Sequence, residues 1–170
     1  TPGLGYDYSF ENFDDEALAV YEFSNGPLAE VNNPGTNSIN SSTLCGNYVR
    51  DVGAEFDVIV YRVSTIDNAD DYVEGTMAFS IDVFSNAPVG KEILLQLETA
   101  AASSNNYPTG RHSRYRTQTT KQGEWERLTF TFLDEPDGIA TATGVKKMIL
   151  LFDPNRTSGD TYHYDNLDSY

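Results

Sequence analysis

Short stretches of strict apolar–polar alternation recur along the chain, and no other pattern constrains its fold as much. "YDYSFEN" sets Tyr6, Tyr8 and Phe10 against Asp7, Ser9 and Glu11. "TMAFSIDVF" sets Met77, Phe79, Ile81 and Val83 against Ala78, Ser80 and Asp82. "EILLQLET" and "RLTFTFLD" alternate in the same way, with Leu128, Phe130 and Phe132 on one side of the latter. A period of two means one face of each strand is buried and the other meets water. "VKKMILLF" is instead continuously apolar from Met148 to Phe152, as expected of a central strand covered on both faces.

Turn signals separate these runs: "SNGP", "NNPG", "SNAPVG", "NNYPTG", "KQGE", "EPDG" and "DPNRTSGD". Only residues 14–20, "DDEALAV", offer a helical turn. The expectation is an all-β fold, an antiparallel two-sheet β-sandwich of jelly-roll type. With 39% hydrophobic residues and no internal repeat, residues 1–170 are expected to form one domain rather than a disordered chain.

Charge and composition remove several function classes. Eleven Lys and Arg against 26 Asp and Glu leave a formal net charge of −15, which argues against nucleic acid as a partner. No apolar run reaches the roughly 20 residues of a membrane span. The opening "TPGLGYDY" has no charged-then-apolar leader, so an export signal is expected to have been removed or to lie upstream. Cys45 is the single cysteine, which excludes an internal disulfide and a multi-cysteine zinc site; it reads as an unreactive packed thiol.

Catalytic patterns are sparse. There are two histidines, His112 and His163, with no Gly-x-Ser-x-Gly elbow, no His-x-x-x-His or Cys-x-x-Cys spacing and no phosphate loop. Paired carboxylates could hydrolyse glycosides, and Glu98 beside Gln96 is the best single candidate. A jelly-roll polysaccharide lyase or a glycoside hydrolase is the enzymatic alternative. The motifs associated with alginate lyases of this fold (Arg-x-Glu-x-Arg, Gln-Ile-His and Tyr-Lys-x-Gly) are absent.

Three segments, "YSFENF", "GEWERLTFTF" and "KKMILLFDPNRTSGDTYHYDNLDSY", carry a family resemblance. In order and spacing they resemble non-catalytic carbohydrate-binding modules of the galactose-binding-like jelly-roll type, as found in marine bacterial glycan-utilisation proteins. The resemblance implies a secreted or cell-surface module, monomeric in isolation, attached to a larger parent and binding a polysaccharide or oligosaccharide. It also implies a structural calcium between the first and last strands, with Glu11 and Asp165 in the matching places. Asn37 and Asn40 of "NNPGTNSINSS" could add oxygens to the six to eight that calcium takes. Trp125, the single tryptophan, belongs to the shared framework, although a sugar platform is the other reading.

"RHSRYR" gathers three of the chain's few cations into six residues. Alternation puts His112, Arg114, Arg116 and Gln118 on one face. If this strand lies beside "EILLQLET", Gln96 and Glu98 join the arginines. Such a face, with Arg111 and His112 at its rim, suits sugar hydroxyls and the oxyanions of uronates or sulfates. Tyr61 and Tyr107 could stack on sugar rings, and Asn155 and Arg156 could border the face. Cross-strand Arg–Glu pairs also decorate ordinary sheets without function. The functional expectation is polysaccharide binding, with an anionic algal glycan (alginate-like or sulfated) favoured over a neutral β-glucan such as laminarin. A structural adhesion domain is a third reading.

Overall fold

The computed structural model describes residues 8–14 and 17–170, so Tyr6 and Asp7 of the first alternating run lie outside the described residues. Twelve strands are described: β1 (Tyr8–Glu11), β2 (Val20–Ser24), β3 (Leu28–Asn32), β4 (Leu44–Val49), β5 (Val58–Arg62), β6 (Phe79–Ser85), β7 (Glu92–Thr99), β8 (Arg111–Gln118), β9 (Glu126–Thr129), β10 (Thr131–Asp134), β11 (Val145–Phe152) and β12 (Thr161–Ser169). They form two six-stranded sheets. The first runs β3-β4-β12-β6-β9, with β1 also pairing with β12; the second runs β10-β8-β7-β11-β5-β2. Every pairing is antiparallel, so the chain is an antiparallel β-sandwich of jelly-roll class.

The core is what the alternation dictates. Phe10, Tyr48, Ile81, Tyr162, Tyr164 and Leu167 from the first sheet meet Ile59, Tyr61, Leu95, Leu97, Met148, Leu150 and Phe152 from the second. The central position expected for "VKKMILLF" is found: β11 lies between β7 and β5. Its Ile149 and Leu151 turn away from the core and pack instead with Leu94, Val58, Val60 and Leu133 on the outer face.

Two local readings need correction. "RLTFTFLD" is not one strand. β9 pairs with β6 in the first sheet and β10 with β8 in the second, with Phe130 at the crossing point between them. Phe130 is buried and its N–H bonds Phe79 O, so the apolar pattern runs unbroken through a change of sheet. The helical turn at 14–20 is also misplaced. Where described, that stretch lies along β1, with Leu18 N bonding Ser9 O and Ala19 N bonding Phe10 O, and then enters β2. The helix is α1, Asp70–Val73. It is started by the Asn68 side chain accepting Asp70 N–H and anchored by Tyr72, whose ring stacks on Phe79 at 3.9 Å. Among the described residues no helix is long and apolar enough to cross a membrane.

Part of the first sheet's outer face is closed by the β3–β4 loop. Asn33 Oδ1 accepts Trp125 Nε1–H at 2.9 Å, Asn37 donates to Trp125 O at 2.9 Å, and Asn40 donates to Asp165 at 2.7 Å. Trp125 is wholly buried by this arrangement and is framework, not a platform. Cys45 is buried nearby, and burial pushes its thiol up to about 12, which keeps it protonated and unreactive.

Candidate functional site

The register of the second sheet lines up side chains in rows, the middle one crossing all six strands and its neighbours five each. Its middle row reads Phe23, Val60, Ile149, Gln96, Arg114 and Asp134. To one side lie Val58, Leu151, Leu94, Arg116 and Thr131. To the other lie Val20, Arg62, Lys147, Glu98 and Arg111. The outer face therefore has an aliphatic floor, charged side chains along one flank and the Arg116 edge along the other.

Most of those charges are already paired. Arg114 makes a two-pronged contact with Asp134, Nε–Oδ1 at 2.7 Å. The carboxyl of Asp134 is held below the usual carboxylate range by that guanidinium. Glu22, the extra residue of a β-bulge in β2, reaches Lys147 at 3.0 Å and Arg62 at 3.5 Å. Glu98 accepts Gln96 Nε2–H at 2.8 Å and pairs with Arg111 at 3.3 Å. Among the described residues Arg116 is the one arginine of this face without an ion pair. It is exposed and lines a cleft of about 420 Å³ with Glu92, Gln118, Thr129 and Thr131.

The expected neighbourhood of β7 and β8 is present, so Gln96, Glu98, Arg114 and Arg116 share one face. Tyr107 is 59% exposed at its end, with the Arg111 guanidinium 5.5 Å from its ring centre. Asn155 and Arg156 are exposed on the loop after β11, at the Arg116 end.

Two residues expected on the face are elsewhere, and a third, Arg111, sits on its charged flank without being available to a ligand. Tyr61 is completely buried, its hydroxyl 2.5 Å from that of Tyr164, because Ile59, Tyr61 and Val63 form the inward set of their strand. Burial also raises the Tyr61 hydroxyl far above its usual range. His112 is 3% exposed, turned from the face by a register shift between Leu97 and Glu98. Arg111 is buried and spends its donors on the preceding loop: Asn106 Oδ1 (2.7 Å), Thr109 O (2.9 Å) and Ser103 O (2.7 Å). It braces the loop that carries Tyr107 and has no free fork for a ligand. Phe23, 52% exposed at the β2 edge, and Asp134 escape sequence reasoning. "VYEFS" hinted at Phe23 as an aromatic outside the core pattern.

The residues expected to hold calcium do not form a cage. Glu11 pairs in register with the core residue Leu167, and its Oε1 accepts Phe13 N–H at 2.9 Å. Asp165 lies on the opposite side of the sheet, paired with Asp82; its two oxygens accept Asn40 Nδ2–H (2.7 Å) and Asn166 N–H (2.8 Å). Asn37 Oδ1 accepts the N–H groups of Ile39 and Asn40, and Asn40 Oδ1 those of Ser42 and the Asn33 side chain. These oxygens already accept N–H donors, and Glu11 and Asp165 share no contact, so the set does not fit an oxygen-only cation.

No protein-family model and no curated protein matches the chain. Solved structures do share its fold. A family 11 carbohydrate-binding module of a cellulosomal cellulase from Clostridium thermocellum superposes with TM-score 0.59 and 13% identity over 98% of this chain and 94% of that one. A family 11 module from the same organism, in complex with a β-1,3-1,4-mixed-linked tetrasaccharide, gives 0.56 and 12% identity over 95% and 92%. A xylan-binding family 22 domain of Paenibacillus barcinonensis gives 0.55 and 10% identity over 94% and 95%.

Proposed function

We propose that the chain is a non-catalytic polysaccharide-binding module that takes a β-linked glycan across the outer face of its second sheet. The observation that carries this is the unbroken row from Phe23 to Asp134. Five strand-to-strand steps of about 4.8 Å give it a length of roughly 24 Å, enough for an extended oligosaccharide. Val58 and Val60, partly exposed over the buried Ile149, Leu151 and Leu94, offer an apolar floor to the C–H faces of sugars, and Gln96, Arg114 and Asp134 offer donors and acceptors to hydroxyls. Phe23 and Tyr107 stand exposed at the margins, where rings can stack. Modules of the same fold with a mixed-linked tetrasaccharide bound, or described as xylan-binding, support the reading.

The ligand is neutral in this reading. Arg114, expected with Arg116 to meet acid groups, is neutralised by Asp134, and Arg111, expected at the rim, by Glu98. Neither histidine serves the face: His112 points away and His163 lies in the other sheet. Of its acids, Glu22, Glu98 and Asp134 are each ion-paired, which suits orientation better than proton transfer, and Glu92, unpaired among the described residues, lies apart at the start of β7. The module works outside the cell as part of a larger glycan-utilisation protein.

Calorimetric titration with a mixed-linkage β-glucan, xylan and alginate tests this, with reducing-end assays in parallel. A neutral glycan binds, its affinity is insensitive to salt, no new reducing ends appear, and Gln96→Ala weakens binding about tenfold. Arg116, unpaired, is the one observation favouring an acidic glycan. Binding of alginate alone, weakened by salt and by Arg116→Ala, establishes that ligand class instead. Binding of none of the three, or turnover of any, overturns the proposal.

A further inference from the structure

We infer that the chain carries a binding site for a zinc-class divalent cation, built from Asp70, His112 and Glu135 at the edge where α1 meets β8 and the end of β10. Among the described residues this is the one place where three metal-ligating side chains converge, their nearest ligand atoms all within 4.8 Å of one another.

The histidine is placed there by the backbone. The register shift between Leu97 and Glu98 rotates His112 out of the row that holds Arg114 and Arg116. Its Nε2 then lies 3.2 Å from Asp70 Oδ1, and its Nδ1 lies 2.9 Å from Ser113 Oγ. Ser113 Oγ in turn accepts the Tyr115 hydroxyl at 2.9 Å. Ser113 and Tyr115 thus fix the ring from behind, as second partners of metal-bound imidazoles do. Without metal the Nε2 proton bonds Asp70. With metal that proton shifts to Nδ1, where Ser113 Oγ accepts it, and Nε2 presents its lone pair.

Chemistry selects the ion. One imidazole and two carboxylates carry a charge of −2 against a dication, in a chain of formal net charge −15. Imidazole suits zinc and its neighbours, whereas calcium wants oxygen alone. Bonds of about 2.1 Å in a tetrahedron put ligand atoms about 3.4 Å apart. The His112–Asp70 pair already meets that spacing, and Glu135, exposed at the other corner, is free to close in. Water completes the fourth position. The ion ties together three segments far apart in sequence.

The test uses protein stripped with chelator and retitrated with zinc or calcium chloride, read by calorimetry and by the melting curve. Zinc binds at one equivalent and raises the melting temperature; calcium at the same concentration gives no shift through these residues. Glu135→Gln, at an exposed position that leaves folding intact, weakens zinc at least tenfold. Ser113→Ala weakens it by about tenfold through loss of ring orientation. His112→Gln abolishes binding, and His163→Gln, which removes the other histidine, leaves it unchanged. Wild-type zinc affinity in both Glu135→Gln and His112→Gln, or dependence on His163, overturns the assignment.

Discussion

Arg114 and Asp134 face each other across β8 and β10 and hold one another in a two-pronged ion pair, Nε to Oδ1 at 2.7 Å and Nη2 to Oδ2 at 2.5 Å. A planar guanidinium matched to a carboxylate in this way has little capacity left for a second anion. In the proposed function the pair would act as a filter, leaving N–H and oxygen edges for hydroxyls while cancelling the positive charge that would attract uronates. Asp134→Ala is expected to release the Arg114 fork and raise alginate affinity severalfold, read by titration at low salt. The pair is partly exposed, so the stability cost is at most about 1 kcal/mol. No gain for alginate in Asp134→Ala would show that something other than this pairing sets the preference.

Arg111 and Tyr107 are in contact yet have different jobs. Arg111 is buried, with loop carbonyls, Asn106 and Glu98 around its guanidinium; Tyr107 is open to solvent. Arg111→Ala is expected to cost about 3 kcal/mol, because it strands buried acceptors and the Glu98 carboxylate together. Tyr107→Ala is expected to leave the melting curve within about 0.5 kcal/mol of wild type and to lower glycan affinity. Equal melting curves for the two variants would refute the division of labour.

The strands, the sandwich and the central place of β11 are legible in sequence because burial on one face imposes a period of two. What escapes is whatever depends on partners distant in the chain or on a slipped register. Nothing in "RHSRYR" reveals that His112 turns inward, since the bulge lies in its pairing with β7. Nor does it reveal that Asp134, twenty positions from Arg114, takes up the guanidinium. Tyr61 was within reach: in "VIVYR" the set Ile59 and Tyr61 opposes Val58, Val60 and Arg62, and the charged member marks the outward set. The pairing of Glu11 with Asp165 rests on similarity of position alone. A one-residue irregularity between Ser9 and Glu11 sends the glutamate toward the Leu167 side.

Trp125, the only tryptophan, is wholly buried under Asn33 in the first sheet, away from the outer face of the second. Its fluorescence should be blue-shifted, resistant to acrylamide quenching and unchanged by saturating glycan. Trp125→Ala should cost about 3–5 kcal/mol through the lost packing. A quench or shift on glycan addition would move the binding face to the first sheet.

Asp165 makes stability depend on pH in the direction opposite to ordinary acid denaturation. Burial outweighs its hydrogen bonds from Asn40, Ser42 and Asn166 and, with a smaller push from the Asp82 charge, lifts its carboxyl from 3.8 to about 6. The folded state therefore holds the proton more tightly than the unfolded chain. Between about pH 4 and 6 the unfolded form binds fewer protons, so stability falls as pH rises through that window. Two units correspond to about 3 kcal/mol as an upper bound. Glu11 and Asp168, both raised by burial, act in the same direction. Asp134 and Asp153, both lowered, oppose it only as pH drops below the ordinary carboxylate range, whereas His163, lowered by burial, opposes it inside the window. Urea unfolding should thus give greater stability at pH 5 than at pH 7, and Asp165→Asn should flatten that slope. A wild-type protein equally stable at both values, or an Asp165→Asn variant with the same slope, would mean that the buried carboxylate is compensated in solution.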